Sequence, residues 1–365
     1  MRRLAIFDVV FEGGGAKGSA FVGALKALSE RGHRTRRLIG TSAGAITATL
    51  TAAGYSPDEL SKVVNEKLPD GKPRFAAFMD KPRAADFTEE QKDASDTIRA
   101  LRAVHVPMLA DRVILNLLLE SPIYPQLFSF VECGGFFAGA NFVEWLTEKL
   151  VAKGLGENET MATFFEKKQV DLSVVTSDTT AMQMLVLNHR TAPDVPLVWA
   201  VRMSMSIPFI WREVIWQESW GSYLGQPKTG NTFVDGGMLS NFPLRLIAEP
   251  DAPIMGDTDP AGALNLGLLL DGKLPITGLP AQPSRAQHDF RVVGRISALL
   301  DTMMDANDNE YILAHASEIC RLPVQGVGTT EFNMSDQKLA LLVNGGYQAM
   351  LDHLNTLHLA APASA

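Results

Sequence analysis

The chain is poor in the features that would place it in several protein classes. Of its 365 residues only two are cysteine, Cys133 and Cys320. They are too few for a disulfide framework and lack the paired spacing of a zinc site, which fits a reducing compartment and predicts no bound metal. No stretch reaches the ~18 consecutive apolar residues of a membrane-spanning helix, so a soluble chain is expected. The basic start Met1-Arg2-Arg3 runs into a segment holding Asp8 and Glu12, with no small-residue cleavage site. A secretory signal is therefore not expected, which points to a cytoplasmic or peripheral-membrane location. Positive charge is also in deficit: 33 Lys and Arg face 41 Asp and Glu, a net charge of −8. Long-range attraction to nucleic acid or to an anionic bilayer is thus not a general property of the chain. No internal repeat is present. The acidic loop over residues 249 to 262 lacks the EF-hand spacing and reads as solvated surface rather than a calcium site.

What is present suits a globular enzyme. At 46% hydrophobic and 20% charged, the chain can build a large core, either one large domain or a core domain with appendages. Gly40-Thr41-Ser42-Ala43-Gly44 has the form G-x-S-x-G where an apolar strand passes into a helix. Glycines two residues either side of a serine permit a tight strand-to-helix turn that holds the hydroxyl out as a nucleophile, with the Ala43 N–H pointing at the reacting carbonyl. The helix that follows is predicted to end at Gly54, and the next to begin at Ser56-Pro57-Asp58-Glu59, a capping sequence.

Upstream, the apolar run from Leu4 to Phe11 meets Gly13-Gly14-Gly15-Ala16-Lys17-Gly18, which opens a helix reaching about Glu30. Glycine amides at a helix start form an anion site, suited either to a phosphate or to the oxyanion of an acyl-transfer intermediate. A dinucleotide fingerprint would need an acidic residue after the second strand, where Gly40-Thr41-Ser42 stands, and a P-loop would need Lys-Ser or Lys-Thr after Gly18. Further on, Thr232-Phe233-Val234-Asp235-Gly236-Gly237 is a short apolar strand ending in an aspartate and two glycines. This is either a turn, or a carboxylate placed as the base an acyl-transfer serine requires. An aspartate titrating near 3.9 serves that role only if burial or hydrogen bonding to the serine shifts it.

Together and in this order, the three motifs resemble the patatin-like phospholipase family. The resemblance implies a three-layer α/β fold with a mostly parallel central sheet flanked by helices. It also implies a lipid acyl hydrolase of phospholipase A or lysophospholipase type that needs no cofactor. Ser42 would be the nucleophile and Asp235 its base. The backbone amides of Gly13, Gly14 and Gly15, with that of Ala43, would form the oxyanion hole, and Gly18, Gly40, Gly44, Gly236 and Gly237 would be motif glycines. Residues 170 to 176 look like a family core strand and residues 203 to 208 like its short helix before a hairpin. The partner is expected to be a lipid substrate at a membrane or micelle surface, with no nucleic acid and no transmembrane segment. A broad-specificity soluble carboxylesterase and a non-catalytic lipid-binding protein of the same fold remain as alternatives.

The domain expectation is a catalytic domain over 1–271 and a helical C-terminal region over 288–365 packed on the core. Residues 77 to 130 match no family feature. Their apolar run from Val113 to Leu119, and the stretch from Ile123 to Phe130, suit a core helix or a membrane-facing lid. The α/β-hydrolase triad shares the elbow but adds a late histidine, for which His288, His315, His353 and His358 are candidates. Only one strand and one helix precede the elbow strand, whereas that fold lays down several strands first. Lys17 is read as a surface lysine or a phosphate contact, Asp178 as a helix cap rather than a support for the dyad, and Trp211, Trp216 and Trp220 as packing residues rather than lipid anchors.

Overall fold

The run Ile6–Phe11 sends its side chains alternately to two faces, Phe7, Val9 and Phe11 entering one apolar cluster and Val10 another. A strand buried on both faces belongs to a parallel sheet covered on each side. The computed structural model describes residues 4–256, 262–280, 295, 298, 299, 302 and 309–357. From β1 (Ile6–Phe11) the chain passes through the glycine loop to α1 (Ala20–Glu30), β2 (Arg34–Thr41), α2 (Ala43–Ala53) and α3 (Pro57–Val64). As the sequence predicts, α2 stops at Gly54, whose φ of 99° disfavours a side chain. α3 opens on a capping box in which the side chains of Ser56 and Glu59 accept from each other's backbone amides.

A helical insertion follows: α4 (Glu89–Ala94), α5 (Asp96–Ala103), α6 (Met108–Leu119) and α7 (Tyr124–Cys133). The chain then forms β3 (Gly135–Phe137), α8 (Ala140–Val151), α9 (Met161–Lys168), β4 (Asp171–Asp178), β5 (Gln183–Leu187) and α10 (Leu197–Ser204). Next come β6 (Phe209–Trp211), β7 (Val214–Ile215), the hairpin of β8 (Ser222–Tyr223) and β9 (Gln226–Pro227), and β10 (Thr232–Asp235). After the short helices α11 (Arg245–Ala248) and α12 (Ala252–Met255) run β11 (Ala263–Pro275), a helix Asn309–Ala314, β12 (Ile319–Gln325) and a C-terminal helix Asp336–Thr356.

Among the described residues, eight strands make one sheet in the order β12-β11-β1-β2-β4-β10-β7, with β5 also paired to β4. The five strands β12, β11, β1, β2 and β4 are mutually parallel, while β10 and β5 run antiparallel to β4. The larger apolar cluster joins one face of the sheet to α1, α2, α8, α10 and the C-terminal helix, and a smaller one joins the other face to α11 and α12. The result is the expected three-layer α/β fold with a mostly parallel central sheet.

Two regions depart from expectation. The C-terminal region, expected to be helical, also supplies β12, which extends the sheet beside β11. Its last helix lies backbone to backbone on α1, since a Cβ on Gly23 would collide with the Val343 carbonyl and one on Gly346 with that of Ala20. The expected helical stretch from His288 lies largely outside the described residues, as do His288 and His358 themselves. The unmatched insertion is neither wholly core nor wholly lid. Phe87, Ile98, Leu115, Leu119 and Phe128 bury one another in a cluster of their own, while Val113, Leu117 and Val131 are more than half exposed and Leu127 nearly so. Arg212 ties this cluster to the sheet side: its Nε donates to Ser129 Oγ at 2.8 Å, and its guanidinium sits 4.5 Å from the Phe87 ring centre.

Candidate active site

Ser42 sits between the last residue of β2 and the first of α2 with φ 52° and ψ −120°. Positive φ is an uncommon and strained state for a residue with a side chain, held only where surroundings over-determine it. Here they do. The Ser42 N–H donates to the Ser204 hydroxyl at 2.9 Å, its carbonyl accepts from Ile46 at 3.2 Å, and the residue is buried. The flanking glycines are explained by crowding. A Cβ on Gly40 would strike the backbone of Gly44, and one on Gly44 the Phe11 carbonyl at the end of β1. The G-x-S-x-G spacing is thus the spacing at which α2 crosses the ends of two strands.

β4 places Asp235 against this elbow. On β4, β2 pairs with residues 171 to 175, ending with Thr41 beside Val175, and β10 pairs with residues 176 to 178, ending with Asp235 beside Thr176. β5 pairs with residues 174 to 178, overlapping both, so it occupies the opposite edge of β4. β2 and β10 therefore share one edge of β4 and approach head-on, and their C-terminal residues occupy adjacent positions on it. Ser42 follows one end and Asp235 is the other. Gly236 turns away through a gap where a Cβ would collide with the Val175 carbonyl, with Thr41 Cγ2 also at 3.0 Å.

Asp235 is fully buried. Its Oδ1 accepts from the Gly237 amide at 2.8 Å, and Oδ2 has no hydrogen-bond partner of good geometry among the described residues. Burial is the main influence and raises the carboxyl to about 7, opposed by the Ser42 hydroxyl and the Gly237 amide. The Asp235 N–H donates to the Ser206 carbonyl at 2.9 Å. One turn at the end of α10 thus holds both residues by their main chains. It is pinned in turn by Arg202, which bonds the Ser206 hydroxyl and donates to the Ala138 and Arg212 carbonyls at 3.0 and 3.1 Å. Burial lowers this guanidinium to about 10, so it stays charged at neutral pH.

The glycine loop lies beside the elbow, a Cβ on Gly13 falling 3.3 Å from Ser42 Cβ. One expectation needs correcting. The Gly13 amide donates to the Asn241 carbonyl at 2.9 Å, which removes it from any oxyanion hole. Gly13 must be glycine for a different reason, because the Asn241 side chain fills the place of its Cβ. The amides of Gly14, Gly15 and Ala43 have no acceptor among the described residues. Gly15, at φ 54°, leaves no room for a side chain against the Thr329 carbonyl, which accepts from the Ala16 amide at 2.8 Å. Gly18 brings the start of the next helix against Ala43, where a Cβ would lie 2.9 Å from that residue's own.

A cleft of about 740 Å3, its open mouth included, is lined by Ser42, Ala43, Ile46 and Leu50, by Val63 of α3, and by Phe75, Phe78, Trp211 and Phe332. A lining so apolar recognises hydrocarbon rather than polar groups.

The other sequence candidates fall elsewhere. Asp178 caps the β4–β5 turn through the Ala181 amide at 2.9 Å and meets buried Lys228 at 3.2 Å. Trp216 and Trp220 are buried packing residues, whereas Trp211, also buried, lines the cleft. Lys17 is half-buried and is not part of the cleft wall. Among the described residues no histidine lines the cleft or bonds to Ser42. His315 lies against Glu318 at 3.3 Å, and His353 is on the C-terminal helix. No group of three or more His, Cys, Asp or Glu among the described residues is arranged to hold a metal ion. Ser204 and Asn241 carry no local signal as site residues because they reach Ser42 and Gly13 across 162 and 228 positions of chain, Thr329 because it reaches back to Ala16, and Ser206, Arg202 and Phe332 because no motif marks their contacts.

Fold and site together define a three-layer α/β protein that presents a serine on a strand-to-helix elbow at the carboxyl ends of a parallel sheet, with a buried aspartate beside it. The family profile described as patatin-like phospholipase matches residues 9–248, and the chain belongs to that family of lipid hydrolases. The uncharacterised protein YqhO of Bacillus subtilis is 30% identical over 348 residues, spanning 93% of this chain and 94% of its own. A probable lipid hydrolase, 463L of Invertebrate iridescent virus 6, is 20% identical over 236 residues, 65% of this chain and 61% of its own. Among solved structures, VipD from Legionella pneumophila is a loose likeness at TM-score 0.48 and 17% identity, covering 97% of this chain and 68% of that one.

Proposed function

We propose that the chain is a lipid acyl hydrolase of phospholipase A or lysophospholipase type, working through Ser42 and Asp235. The observation that carries this reading is the head-on meeting of β2 and β10 along β4, which sets a strained serine beside a buried carboxylate. In the reaction, Ser42 Oγ attacks the ester carbonyl as its proton passes to Asp235, and the oxyanion takes hydrogen bonds from the amides of Gly14, Gly15 and Ala43. The intermediate collapses, Asp235 returns the proton to the departing alcohol, and an acyl-serine remains. Water, deprotonated by the same carboxylate, releases the fatty acid. A carboxyl near 7 suits a group that must accept and return a proton near neutrality. The acyl chain lies in the apolar cleft. A lipid surface is the setting that suits the exposed apolar residues of α6 and α7, so the protein acts while peripherally bound to a membrane or micelle.

The test incubates the parent and its Ser42→Ala variant with mixed phospholipid and acylglycerol liposomes and, separately, with soluble short-chain esters, reading released fatty acids and lyso-products by mass spectrometry. The expected result is release from liposomes by the parent alone. Equal release by both proteins would overturn the role of Ser42. Turnover of soluble esters without liposome hydrolysis would make the chain a carboxylesterase, and silence on both would leave a lipid-binding protein.

A further inference from the structure

Among the described residues that line the cleft, all but one fall within the family-matched segment; the exception is Phe332, from the loop after β12. We propose that Phe332 sets the length of acyl chain the cleft accepts, an inference that rests on the ester-hydrolase reading and deepens it.

The lining includes the small residues Gly15, Ala16, Gly18 and Ala43, with Gly18 against Ala43, the residue after Ser42. It also includes an aromatic wall. The Phe75 and Phe78 rings are tilted at 35° with centres 5.3 Å apart, the Trp211 indole N–H donates to the Phe78 carbonyl at 2.8 Å, and the Phe332 ring stands edge-on to Trp211 at 5.9 Å and 71°. Methylene groups make no directional contacts, so a cleft of this kind measures an acyl chain only by where its wall stops it.

For a wall to measure, it must be fixed, and the loop carrying Phe332 is tied at each end. The Thr329 carbonyl accepts from the Ala16 amide at 2.8 Å, joining the loop to the glycine run. Within it, the Gly328 amide donates to Glu331 Oε2 at 3.0 Å and the Phe332 amide to the Thr330 carbonyl at 2.9 Å. Lys338, on the C-terminal helix, bonds both oxygens of Glu331, at 2.6 and 2.8 Å, and the Gly326 carbonyl at 2.8 Å. Trp211 is fully buried behind the ring, so Phe332 is the part of this wall that can be trimmed or enlarged with least damage to the core.

The experiment measures kcat/KM for soluble p-nitrophenyl esters from butyryl to palmitoyl on the parent, Phe332→Ala and Phe332→Trp, with thermal melts to confirm folding. Phe332→Ala is expected to raise the palmitoyl-to-butyryl ratio about tenfold, the discrimination that one or two methylenes command in an apolar pocket, and Phe332→Trp to lower it. A second readout does not need turnover: in the Ser42→Ala background, displacement of a fluorescent fatty acid by unlabelled acids should follow the same chain-length order. Folded variants with the parent's ratio and binding order, or with equal loss across all chain lengths, would overturn the proposal. An inactive parent whose binding order still shifts with residue 332 would overturn the hydrolase reading and leave the measuring wall standing.

Discussion

Asp235 is where the chemistry and the stability of this protein pull in opposite directions. An unfolded aspartate titrates near 3.9, whereas the buried carboxyl sits near 7. Between those values the native state holds a proton that the unfolded chain has lost, so stability falls as pH rises through that window and levels off above it. With Asp235 as the proposed base, activity should run the other way, kcat/KM climbing with pH and flattening above about 7. Asp235→Asn should abolish hydrolysis yet raise the melting temperature above neutrality, with little gain in mild acid. Parallel melts across pH check the sign. Ser204 acts one step removed, through the Ser42 N–H that it accepts. Ser204→Ala leaves that donor buried and unpaired, at a cost of about 1–3 kcal/mol. The expected signature is a kcat lowered about a hundredfold with KM little changed, read on protein shown by its melt to be folded.

The elements explain which parts of this site were legible in the sequence. Elbow, glycine loop and Asp-Gly-Gly turn each couple a strand end to a tight turn, and that coupling writes itself in glycine at short spacing. Gly44 and Gly54 show how differently two glycines on one helix are constrained. Gly44→Ala would drive a methyl into the Phe11 carbonyl, whereas nothing lies within 4 Å of a Cβ at Gly54, where only the φ of 99° resists. The first should cost about 3 kcal/mol or more, the second about 1 kcal/mol, as denaturant melts would show. The α10 turn was visible only as a family-like segment, because its two serines act through a single hydroxyl and a single carbonyl. Gly13 was misassigned because nothing local reveals that Asn241, 228 residues on, takes its amide. In the insertion, the apolar runs suit either a core helix or a lid and do not show where the four helices begin and end. Replacing Val113, Leu117, Leu127 and Val131 by serine should lower liposome hydrolysis at least about tenfold while soluble-ester hydrolysis holds, because the lost term is apolar area presented to lipid. Equal losses on the two substrates would remove the insertion from any part in lipid contact.

Across the whole molecule, the family profile ends at residue 248, but the sheet and the cleft do not. β11 pairs with β1 and β12 with the far edge of β11, the C-terminal helix seats on α1, and the loop between β12 and that helix braces the glycine run at Ala16. In the sequence the apolar run from Leu264 to Leu270 reads as a strand and the stretch after Ser335 as a helix, and the structure has both. The sequence did not show that the segment between them carries a sheet strand and a cleft wall, because parallel pairing leaves no local signature. The bond from Ala16 to the Thr329 carbonyl also orders events in time. A chain made from its amino end has Ser42 and Asp235 before Thr329 emerges, and until then the Ala16 end of the glycine loop lacks this brace. With Ser42 as the proposed nucleophile, hydrolysis should therefore appear only once residue 329 has joined the fold.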